Sequence, residues 1–76
     1  MGEAPEQRLY RLLDDAGFVL ETFPCVDDHQ AERVARRLAR PHVRADVWSG
    51  AKGGFLLECR TDDGEAWRLV LAWAPA

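Results

Sequence analysis

The sequence predicts an α+β two-layer sandwich in the order α-β-α-β-β-β, with two helices on one face of a four-stranded mixed sheet. Three observations predict it. Two segments, 5–16 and 28–40, repeat apolar residues at helical spacing. Four others read as strands, three of them with period-two alternation. The chain has 76 residues, enough for a single domain over 1–76 whose sheet needs a helical layer to complete a core.

The first helix is expected over 5–16. Pro5 suits the first turn, Gly17 suits the position past the end, and Leu9, Leu12, Leu13 and Ala16 make its apolar stripe. Asp14 and Asp15 fit it poorly. Negative charge in a last turn opposes the helix dipole at a cost of about 0.3–1 kcal/mol. Either these acids are functional or the helix ends earlier. A short strand follows over 18–23, stopped by Pro24.

The second helix is expected over 28–40. Asp27 is a good N-cap, and Gln30 completes a capping-box pattern. Ala31, Val34, Ala35 and Leu38 form the buried stripe, Arg33, Arg36, Arg37 and Arg40 take the opposite face, and Pro41 ends the helix. Glu32, four residues before Arg36, can form a weak surface pair with it.

Three strands complete the chain, over 43–49, 54–61 and 65–73. Val43, Ala45 and Val47 should face inward, as should Phe55, Leu57 and Cys59, and then Trp67, Leu69, Leu71 and Trp73. The first strand, second helix and second strand should make a right-handed parallel crossover, and the last three strands an antiparallel meander. A three-residue loop, Asp62-Asp63-Gly64 with Gly64 left-handed, keeps one face apolar by pairing Cys59 with Trp67 and Leu57 with Leu69. A two-residue turn would instead set Cys59 opposite Arg68. The outer face then carries Trp48, Leu56 and Val70 amid Arg44, Asp46, Glu58, Arg60 and Arg68.

Composition narrows the function. Ten basic and thirteen acidic residues give a net charge of −3, which weighs against a general nucleic-acid binder. No apolar run is long enough to span a bilayer, and 1–7 lack the apolar core of an export signal, so a cytoplasmic location without membrane association is expected. Cys25, after a proline in a loop, and Cys59, a small buried hydrophobe, are expected to be reduced. Cys25, His29, His42 and Cys59 do not have paired zinc-ligand spacing, so no metal or other cofactor is expected. Cys25, Asp27 and His29 are close in sequence, but Asp27 is better used as a helix cap, and no enzyme is expected. The run 50–54 is glycine-rich without a P-loop pattern and reads as a hairpin turn.

A strand, the Phe23-Pro24 loop, Ala31-Glu32-Arg33 opening a helix and two further strands resemble in outline the peptidoglycan-binding SPOR domain. The likeness covers about the middle forty residues. A SPOR domain would continue with a second strand-helix unit, where this chain enters the Asp62-Asp63-Gly64 hairpin. In size and acidity the chain also looks like anti-CRISPR and bacterial immunity proteins, without a shared motif.

The function expected from these features is a small acidic protein-binding module, an inhibitor that occludes a basic, nucleic-acid-handling partner. Its contacts would be Asp14, Asp15, Asp62, Asp63 and Glu65 for charge, with Trp48 as the apolar anchor. The alternatives are a nucleic-acid-binding module using Arg33, Arg36, Arg37 and Arg40, and a structural homodimer.

Overall fold

A computed structural model describes residues 6–43, 53–62 and 64–74. Four strands and one α-helix lie among them: β1 (Arg8–Asp14), β2 (Val19–Cys25), α1 (Asp28–Ala39), β3 (Phe55–Arg60) and β4 (Trp67–Trp73), with a 3-10 turn at Arg40–His42. The sheet order is β2-β1-β3-β4, and every neighbouring pair is antiparallel. One helix on an antiparallel sheet therefore replaces the expected two helices on a mixed sheet. Because β2 and β3 both run against β1, they are parallel to each other, but β1 lies between them. The connection through α1 thus passes over a strand and creates no parallel pair.

The expected first helix is strand β1. The segment satisfies both periods, since Leu9, Leu12 and Leu13 fit a helical stripe while Tyr10 and Leu12 alternate with Leu9, Arg11 and Leu13. The strand wins because it is central. It hydrogen-bonds on both sides and buries Tyr10 and Leu12 completely. Full burial of such side chains is worth about 1.5–3 kcal/mol each, whereas a single helix of this length is marginal alone.

The acids that fitted a helix poorly build a turn. Asp14 N donates to the Phe18 carbonyl and Gly17 N to the Asp14 carbonyl, both at 3.0 Å. The Asp14 carboxylate accepts from Ala16 N and Phe18 N, each at 2.9 Å. Gly17, at φ +89°, takes the left-handed position of a three-residue hairpin loop instead of ending a helix. Strand β2 runs through Pro24, which pairs with Leu9. On the outermost described strand on this side, a missing N–H costs no ladder bond if it points away from the sheet. Cys25, expected in a loop, is the buried last residue of β2.

Helix α1 follows the sequence closely. Asp27 is extended, and its carboxylate accepts from Gln30 N at 2.7 Å. The Gln30 side chain returns to Val26 N at 3.1 Å. Ala31, Ala35 and Ala39 face the sheet and are buried, with Val34 and Leu38 packed at their flank. Small residues along this stripe let the helix axis approach β1 and β3 closely. The strand expected over 43–49 lies, beyond Val43, outside the described residues, as do Trp48, Arg44 and Asp46.

The last hairpin differs in register. Arg60 pairs with Trp67, Cys59 with Arg68 and Glu58 with Leu69, after which the count shifts so that Leu57 meets Leu71 and Phe55 meets Trp73. The loop closes between Thr61 and Ala66, with Gly64 left-handed at φ +75° as expected but one residue longer than expected. The pairing that mixes the two faces under strict alternation, Cys59 with Arg68, is thus the one adopted. A bulge at Val70 separates the faces by resetting the phase in mid-strand. Leu71 and Trp73 face the helix, while Trp67 and Leu69, both expected inside, lie on the outer face. Arg68 takes the helix side and Val70 packs against the core.

Candidate interaction surface

The main core cluster lies on the helix side of the sheet, while on the other face only the Leu13 end, opposite Leu56 and Val19, is buried. At the centre of that other face Arg11 and Glu58 are cross-strand partners, with Arg11 Nε 2.6 Å from Glu58 Oε1. The Arg11 guanidinium also lies 4.2 Å from the centre of the Trp67 ring. Stacking on the ring and bonding to the carboxylate hold this cation in place and neutralise it. Around it, Leu69 is 54% exposed and Val19 49%, with Leu56 partly covered. Phe18, 69% exposed, stands at the β1–β2 turn. A charge-neutral centre beside an exposed leucine and valine and a half-buried tryptophan suits contact with another apolar surface.

A second cluster joins the start of α1 to the sheet. Tyr10 Oη donates to Asp28 Oδ1 at 2.8 Å, and Arg68 Nη2 lies 3.3 Å and 3.2 Å from the two Asp28 oxygens. The tyrosine bond, and then Arg68, hold the Asp28 carboxyl below its ordinary pKa against the opposing effect of burial. Burial, followed by the Asp28 bond, pushes the Tyr10 phenol well above its ordinary value. Both groups therefore keep fixed protonation states through neutral pH, which suits a structural clamp better than proton transfer. Burial also raises the Cys25 thiol, with Asp27 adding to the effect.

Cys25 and Cys59 are free thiols. They lie on β2 and β3 with β1 between, so about 10 Å of sheet separates them, beyond disulfide reach. Among the described residues no group of three or more histidine, cysteine or acidic side chains converges as a metal site. No described helix is long and apolar enough to cross a membrane. A shallow apolar depression of about 410 Å³ lies beside the start of β3 and the end of β4, lined by Asp15, Gly54, Phe55, Leu56, Ala72 and Trp73.

The residues singled out for partner binding do not converge. Asp14 and Asp15 lie at the end of the sheet where Asp14 pairs with Phe55. Asp62 and Glu65 are exposed in the β3–β4 loop at the other end, roughly 20 Å away by the rise per strand residue. Asp63 and Trp48 lie outside the described residues. Arg33, Arg36 and Arg37 are exposed on α1 and Arg40, expected inside the helix, is exposed at its C-cap, with the Arg36 guanidinium 5.5 Å from the Trp73 ring centre. Sequence reading missed Arg11 and Trp67 as a pair. The available signal was an arginine inside an apolar alternating segment, which becomes a face-centre residue once 8–14 is read with period two.

Comparison of the chain with protein-family models, with curated proteins and with solved structures finds no match.

Proposed function

We propose that this chain is a non-catalytic protein-binding module whose contact surface is the outer face of the sheet, centred on Trp67 and Leu69. The observation that carries the reading is the bulge at Val70. It places an exposed leucine and a tryptophan on the solvent side of a sheet whose other side already has its helix. The fixed Arg11–Glu58 pair adds a polar centre that needs no partner charge. The partner's matching surface is accordingly apolar with a polar rim. Occlusion of a basic partner through the acidic residues is the weaker form of this reading, because those acids divide between two ends of the sheet.

The test is affinity capture with the wild-type chain and with Leu69→Asp, followed by a binding titration against whatever the wild type retains. The expected outcome is a protein whose affinity falls at least tenfold, about 1.4 kcal/mol, in a variant that keeps the wild-type circular dichroism. A retained protein indifferent to Leu69→Asp, or none retained at all, removes the proposal.

A further inference from the structure

On the opposite side of the molecule, we infer that the outer face of α1 is a contact strip for the phosphate backbone of nucleic acid. At 100° per residue, Arg33, Arg36, Arg37 and Arg40 fall within an arc of about 100°. That arc lies opposite Ala31, Ala35 and Ala39, which are buried against the sheet. All four arginines are exposed.

Their charge is not taken up by carboxylates of the described residues. The ion pairs among the described residues join Arg11 to Glu58, His42 to Glu21 and Arg68 to Asp28. Arg60 donates to the Gly64 carbonyl. The expected Glu32–Arg36 pair does not form, and Arg36 lies over Trp73 instead. Arg33, Arg37 and Arg40 have no ion-pair partner among the described residues. Planar guanidinium groups presenting paired N–H donors are well matched to phosphate oxygens.

The strip has a suitable length. From Arg33 to Arg40 the helix rises about 10 Å, and duplex DNA offers one phosphate per strand about every 3.4 Å, so roughly three phosphates lie within reach. Glu32, beside Arg33 and Arg36 on α1, offsets one of the four charges, and the remaining acids behind the net charge of −3 do not cancel the rest. Charges more than about 10 Å apart are largely screened at 0.1 M salt, and the acids of the β3–β4 loop sit at the sheet end nearer the start of α1. Such a contact would be indifferent to base sequence, since backbone contacts position without specifying.

Fluorescence anisotropy of a labelled mixed-sequence DNA duplex, titrated at several salt concentrations, tests the inference. Binding is expected at low salt, with log K falling against log salt at a slope of about −3. Arg33→Gln combined with Arg37→Gln should cut affinity more than tenfold and reduce that slope by about two, with circular dichroism unchanged. Leu69→Asp, on the opposite face, should bind the duplex as the wild type does, so this result is independent of the protein-binding surface. No anisotropy change at low salt, or a slope unaffected by the double substitution, overturns the inference. Polyglutamate competing as well as unlabelled duplex would overturn it too, by assigning the strip to acidic polypeptide.

Discussion

Tyr10 shows how one side chain ties the two layers together. Its ring is fully buried and stacks with Phe23 at a centroid distance of 6.1 Å, while its hydroxyl reaches the first residue of α1. Tyr10→Phe keeps the packing and removes the bond to Asp28. A hydrogen bond to a charged group is worth about 1.5–3 kcal/mol, so urea unfolding at pH 7 should show a loss of that order. The pH dependence has a definite sign. The Asp28 carboxyl is lowered on folding, so its contribution is present above the ordinary carboxylate pKa and fades as pH falls through the lower folded value. Removing the largest cause of that lowering should flatten the acid limb of the stability curve. An acid limb as steep as the wild type's would show that the clamp does not depend on Tyr10.

At the scale of elements, β1 and its turn carry the sharpest contrast between sequence and structure. Asp14 is unfavourable in the last turn of a helix, and Asp14→Ala would then stabilise. In the hairpin its carboxylate holds two backbone N–H groups, so Asp14→Ala should destabilise by about 1 kcal/mol. The sign of the change in thermal midpoint checks the assignment directly. Helix α1 was legible because its cap, alanine stripe and terminating proline all agree with one local structure. The segment 8–14 was not, because Leu9, Leu12 and Leu13 satisfy a helical period as well as a strand period. Only the presence of strands on both sides makes the second choice the stable one. The register of β3 and β4 was legible only in part. Gly64 marked the left-handed turn residue, but a bulge at Val70 leaves no local signal in a run of the form Trp-Arg-Leu-Val-Leu.

For the molecule as a whole, the fold separates three surfaces that the sequence interleaves: a core face, an outer sheet face and a basic helix face. The separation predicts opposite responses from two leucines. Leu57→Ala, in the fully buried layer, should cost about 2–5 kcal/mol. Leu69→Asp, at an exposed position opposite Glu58, should cost only about 1 kcal/mol, from the facing like charge and the lower strand propensity. Equal sensitivity at the two sites in thermal unfolding would mean that the outer face is also core. The candidate surface was legible in kind, as an open sheet face of mixed polarity containing Leu56 and Glu58. Its centre was not, because Trp67 and Leu69 reach it through the bulge and Arg11 through the reassignment of β1.

By itself the sequence determined the features fixed by neighbours along the chain. These are the Asp27 cap, Ala31 and Ala35 on the buried side of α1 with arginines on the other, the left-handed turn glycine at position 64 and the alternation of β3. Tertiary structure alone decided whether 8–14 would coil or extend, which strands lie side by side, and where β4 changes phase. Those choices depend on hydrogen bonds and burial supplied by segments distant in sequence, and no local pattern encodes the partner that makes one of two compatible conformations the lower in free energy.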